Sequence, residues 1–119
     1  MMERILATLN RAVGVKGSLI VHRDGIVVKS LLGPDMDTES VSALAAATIH
    51  ATRRSLARMG LSAFSRLVLT ATHGKMIFVD VDPTYLVVVT RRDINLDLTL
   101  LEIEGAAYKL RNLGRILTG

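Results

Sequence analysis

GVKGSLIVHRDGIVVKS, residues Gly14 to Ser30, is the stretch on which the reading of the fold turns. Two strand-like segments, Ser18 to His22 and Ile26 to Leu32, meet at Asp24-Gly25, a residue pair suited to a tight hairpin turn. Upstream, Ile5, Leu6, Leu9 and Val13 form one stripe of a helix expected from Met2 to Val13, which Gly14 and Gly17 then break. Downstream, Gly33-Pro34-Asp35 ends the hairpin. Asp37 then offers an N-cap to a long Ala-rich helix expected from Thr38 to Met59, with Gly60 as its stop.

Three further strands follow: Arg66 to Thr72, Lys75 to Val81 and Tyr85 to Thr90. His73-Gly74 and Asp82-Pro83-Thr84 supply the turns between them. Asn95 can cap a last helix, whose Leu96, Leu100, Ile103, Ala107, Leu110, Leu113 and Leu117 follow helical spacing. No repeat, linker or low-complexity tract interrupts this order, so residues 1–119 read as a single domain. The segments MIFV and YLVVV are apolar without alternation, as in strands covered on both faces. The expected fold is therefore α/β of the α+β type: a three-layer helix–sheet–helix sandwich. Its sheet is mostly antiparallel, because the loops are too short for crossovers.

Composition excludes several function classes. Half the residues are hydrophobic and 22% charged, which rules out a disordered chain. The only aromatic residues are Phe64, Phe78, Tyr85 and Tyr108, too few for a base-stacking or carbohydrate platform. With no cysteine there is no disulfide framework, thiolate nucleophile or Cys-based zinc site. No apolar run approaches the roughly 20 residues of a membrane span. The N-terminal MMERILATLNRAV carries charges within its apolar pattern, unlike a signal peptide, so a cytoplasmic protein is expected. The net charge of +4 invites a nucleic-acid reading, but its placement argues against one. Asp37 and Glu39 open the second helix, and Arg53, Arg54 and Arg58 close it. Asp97, Glu102 and Glu104 precede Lys109, Arg111 and Arg115 in the last helix. Such an arrangement complements the helix dipole.

Self-association is the next expectation. The third strand, RLVLTAT, has no charge between Arg66 and His73 and no proline, so as a sheet edge it lacks protection against pairing. Val68, Leu69 and Thr70 are its central candidates for a dimer interface. In the second helix, Val41, Ala45, Ile49, Thr52, Leu56 and Met59 can face the domain's own sheet. Ala43, Ala46, Ala47 and Ala51 form a second set of small residues, over which another helix could approach closely. Together these features favour a homodimer.

The ordered combination of Gly14 and Gly17, Arg23-Asp24-Gly25, the Ala-rich helix, the YLVVV strand and Asn95-Leu96 resembles the Roadblock family across nearly the whole chain. Asp97-Leu98 stands where that family usually places a glycine shortly after the Asn. The resemblance implies a five-stranded sheet with the second helix on one face and the first and third on the other. It implies two subunits joined through the second helix and third strand. Among family members, the short bacterial proteins of the MglB type look most similar; they accelerate GTP hydrolysis by a small Ras-like GTPase. The resemblance thus implies a GTPase partner, touched by His50, Arg53 and Arg54, with the partner's own residues held in place rather than an arginine inserted.

No independent catalytic chemistry is legible. Gly74-Lys75-Met76 lacks the earlier glycine and the hydroxyl of a phosphate-binding loop. His22, His50 and His73 make no metal motif, and no G-x-S-x-G elbow is present. Asp80 and Asp82 beside Pro83 read as turn-forming rather than as a cation site. The expectation is a non-catalytic regulator or scaffold with no cofactor. The alternative is a ligand-sensing or passive interaction module.

Overall fold

The computed structural model describes residues 1–118, with side chains to residue 114; Arg115 and Leu117 of the expected last-helix pattern fall outside the described side chains. Eight elements follow in the expected order: α1 (Met2–Leu9), β1 (Val15–His22), β2 (Val27–Leu32), α2 (Thr38–Arg58), β3 (Arg66–Ala71), β4 (Gly74–Val81), β5 (Thr84–Thr90) and α3 (Leu96–Thr118). The five strands form one sheet in the order β2-β1-β5-β4-β3, every neighbouring pair antiparallel. Residues on α2 carry the chain from one edge strand of this sheet to the other.

Strand alternation divides the core in two. Ile20, Ile77, Val79, Leu86 and Val88 point to one face, where Leu6 and Leu9 of α1 and Ile103, Ala107 and Leu110 of α3 cover them. Leu19, Val21, Phe78, Tyr85 and Val87 point to the other, under Ala45 and Ile49 of α2. The MIFV and YLVVV segments of β4 and β5 are apolar at consecutive positions for this reason. Full burial of each such side chain is worth about 1.5–3 kcal/mol.

The capping residues work as their types predict. The Asp37 carboxylate accepts from the Glu39 amide at 3.2 Å and from Ser40 Oγ at 2.7 Å. The Ser40 hydroxyl foremost, with backbone amides helping, holds this carboxyl below its ordinary value. At the far end Gly60 has φ +75, its amide bonds the Ala57 carbonyl, and the Leu61 amide reaches back to Leu56. That pair of bonds is a Schellman motif, which closes α2. Asn95 caps α3, its Oδ1 accepting from the Leu98 amide at 3.2 Å. The Asp97-Leu98 departure from the family pattern therefore leaves this helix start intact.

Two boundaries differ from the sequence expectation by more than one residue, the end of α1 and the start of β1. α1 stops at Leu9, four residues early, and Val13 is 82% exposed rather than on the buried stripe. The cause is Asn10, whose amide donates to the Leu31 carbonyl at 2.9 Å while its oxygen accepts from Ser18 Oγ at 2.7 Å. These bonds tie the helix end to β1 and β2, and the chain turns away through short-range bonds from Arg11 and Ala12. Gly17 lies inside β1 instead of breaking the chain before it. A Cβ there would stand 2.8 Å from Leu32 Cδ2 and from Met36 Cε, so the glycine lets the hairpin close against the β2–α2 connection.

Candidate protein-interaction site

Among the described residues β3 pairs with β4 alone, which leaves its other side without a strand neighbour there. Leu67 and Val68 are half-buried, Leu69 is 39% exposed, and Thr70 and Ala71 are exposed. Thr70 Oγ1 accepts from Lys75 Nζ at 3.1 Å, a bond to its own neighbouring strand. The opposite edge is better guarded. Lys29 of β2 lies 3.5 Å from Glu3, and the Leu31 carbonyl is taken by Asn10. A charged residue and a covering helix are the usual means of blunting an edge; β3 has a charge only at its first residue, Arg66, which lies 3.7 Å from Glu104 of α3, and none from Leu67 to Ala71.

The outward face of α2 presents Ala43, Ala47 and Ala51 as exposed small residues, beside Leu44 at 52% exposure. Ala46 sits differently from the other three. It is half-buried and packs on the α2-side core, close to the hairpin turn at Gly25. Met59, expected to face the sheet, is instead 64% exposed, because α2 ends at Arg58 and the closing turn swings it outward.

His50, Arg53 and Arg54, the expected partner contacts on the second helix, line one open groove of about 510 Å³. Ala57 of α2, Ser62 and Ala63 of the following loop, and Arg23 of the β1–β2 turn complete it. His50 and Arg54 are exposed, whereas Arg53 is half-buried. Arg53 Nη1 donates to the Tyr85 hydroxyl at 3.0 Å, and that hydroxyl donates to the Phe64 carbonyl at 3.2 Å. The Phe64 and Tyr85 rings stack with centroids 4.6 Å apart. Burial raises the Tyr85 phenol above its ordinary value, outweighing the opposing pull of Arg53. Sequence reasoning missed Arg23. Its position in a turn gives no hint that the hairpin tip lies beside α2.

The other polar candidates have local roles. The Asp82 amide bonds Asp80 Oδ1 at 2.9 Å, and Arg23 Nη1 reaches Asp82 at 3.5 Å, so these carboxylates serve the β4–β5 turn. His22 Nδ1 accepts from the Asp24 amide at 3.1 Å inside the hairpin turn. Among the described residues, no group of three or more His, Asp or Glu is placed to hold a metal ion. Among them, too, no helix is long and apolar enough to cross a membrane.

Residues 1–90 match the Roadblock/LC7 domain. The Uncharacterized protein MJ0714 of Methanocaldococcus jannaschii is 39% identical over 111 residues, covering 93% of this chain and 94% of the relative. Among solved structures, MglB of Myxococcus xanthus superposes with a TM-score of 0.85 at 20% identity, covering 96% of this chain and 94% of that one. A structure described as MglB with tetrameric arrangement superposes at 0.81 and 20% identity, over 93% of this chain and 85% of the other. At such identities the structural likeness shows the fold. The relative at 39% identity comes from an archaeon, so the expectation of a bacterial source gains nothing from it.

Proposed function

This chain belongs to the Roadblock/LC7 family, and from that membership we propose a homodimeric regulator or scaffold that binds a small Ras-like GTPase and stimulates its GTP hydrolysis. The observation that carries the proposal is the unguarded β3 edge, with the exposed Ala43, Ala47 and Ala51 face of α2 on the same subunit. Pairing of two β3 edges through Val68, Leu69 and Thr70 would extend the sheet across both subunits and bring the α2 faces together. Ala46 contributes from behind this face, by seating α2 on its own sheet.

The groove of Arg23, His50, Arg53 and Arg54 is the proposed GTPase contact. Arginine suits carboxylate recognition because its planar fork donates two parallel bonds. Arg53 is already engaged by Tyr85, so it shapes the groove rather than reaching into a partner's active site. Such a surface fits an activator that holds the GTPase's own catalytic residues in position. A ligand-sensing role would need space between helix and sheet, where Leu19, Ile49, Phe78 and Tyr85 are packed instead.

The test has two parts: the mass of the chain in solution, then capture of a Ras-like GTPase from its own cell extract with a hydrolysis assay. A dimer that retains the GTP-bound form and speeds hydrolysis supports the proposal. A dimer that retains the GTPase without changing its rate leaves a scaffold. A monomer that retains none overturns the reading.

A further inference from the structure

The outer face of α3 carries three large apolar side chains open to solvent: Leu98, Leu101 and Tyr108, exposed by 61%, 70% and 64%. Gly105 lies among them, and a Cβ there would meet nothing within 4 Å. Its φ is not positive, so neither space nor backbone conformation within the subunit calls for glycine. A glycine inside an exposed helix is destabilising relative to alanine. What it does provide is a place where another backbone can come close.

The charges around it are arranged to match. Glu102 and Lys109 are exposed, with no opposite charge three or four residues along α3. Among the described residues neither takes part in an ion pair. At about 100° per residue, Leu101 and Tyr108 fall on one flank of Gly105, and Glu102 and Lys109 on the other. A second α3 related by a two-fold axis beside Gly105 runs antiparallel and keeps like flank on like flank. Leu101 then meets the partner's Tyr108, and Glu102 meets the partner's Lys109. A parallel approach would set the charges against the apolar flank.

We propose that α3 is a second self-association surface, through which two copies of this chain pair antiparallel across Gly105. It lies on the sheet face opposite α2, so it is independent of pairing through β3 and of the GTPase reading. One helix face is smaller than a standard interface, so the contact is weak and concentration-dependent. Its outcome is assembly beyond the unit formed at β3.

A charge exchange in the full chain tests it, with mass followed against concentration. Glu102→Lys alone and Lys109→Glu alone each place like charges opposite one another, and each should raise the midpoint of the higher assembly about 10-fold. An equimolar mixture of the two variants restores both attractive pairs and should return the midpoint to that of the wild type. Both positions are exposed, and circular dichroism of each variant is the control for folding. Singles that assemble like wild type, or a mixture no better than its components, would overturn the antiparallel pairing. A wild-type chain with no assembly beyond the β3 unit at millimolar concentration would overturn the surface altogether.

Discussion

The Tyr85 hydroxyl stands 3.0 Å from Arg53 Nη1, so a fully covered residue of the sheet anchors an arginine at the protein surface. The same hydroxyl donates to the Phe64 carbonyl at 3.2 Å, on the loop that leads into β3. One phenol thereby fixes α2, β5 and the entry to the edge strand relative to each other. The proposed GTPase groove and the proposed dimer edge share this support.

Tyr85→Phe keeps the ring stacked on Phe64 and removes only the hydroxyl. The Phe64 carbonyl loses its donor and Arg53 its acceptor. The expected loss is about 1–2 kcal/mol in urea unfolding, with the folded spectrum unchanged. A loss below a few tenths of a kcal/mol would mean that the hydroxyl bridge is dispensable.

Burial also gives the phenol a signature at alkaline pH. The folded state holds its proton above the ordinary tyrosine range, so it binds more protons than the unfolded chain once pH passes about 10. The stability tied to this group is whole below that pH. It declines as pH rises toward the folded value. Thermal melts between pH 9 and about 11 should therefore fall more steeply for wild type than for Tyr85→Phe. Parallel curves would remove Tyr85 as the cause.

Leu69→Lys tests the edge. Leu69 is 39% exposed, so the lysine stem can lie along the sheet while its ammonium reaches water. A charge on an open edge opposes strand pairing between subunits. The variant should remain folded within about 1 kcal/mol of wild type and sediment as a monomer at low concentration. An unchanged dimer mass would exclude β3 as the interface.

Two glycine-to-alanine substitutions should have opposite signs. Gly17→Ala brings a Cβ within 2.9 Å of the Leu32 Cα, a backbone atom that cannot step aside. A loss of about 1–3 kcal/mol is expected, with Tm lowered accordingly. Gly105→Ala meets open space and should raise stability by about 0.5–1 kcal/mol while weakening the α3 contact. Equal effects on stability at both sites would contradict the packing around Gly17.

Local chemistry was legible in the sequence wherever a single residue does its work within a few positions. Asp37, Gly60 and Asn95 mark helix ends through bonds that span two to five residues. The unbroken apolar run of YLVVV identified a doubly covered strand, which Tyr85, Leu86, Val87 and Val88 confirm by their burial. Asn10 escaped because its partners Ser18 and Leu31 lie 8 and 21 residues away. Arg23 escaped for the same reason: it enters the groove from a different element than His50 and Arg54.

The sequence by itself determined the eight elements and their order, the family, and the absence of charge between Arg66 and His73. Hydrophobic periodicity and capping act over short chain distances, so they can be read along the chain. The tertiary structure decided which of two strands became the unguarded edge, since that depends on β1 pairing with β5 across more than sixty residues. It likewise decided that Ala46 faces inward, that Met59 faces outward, and that Arg53, rather than Arg54, reaches the Tyr85 hydroxyl. Those outcomes depend on where α2 comes to rest on the sheet. Only the packing of distant side chains sets that position.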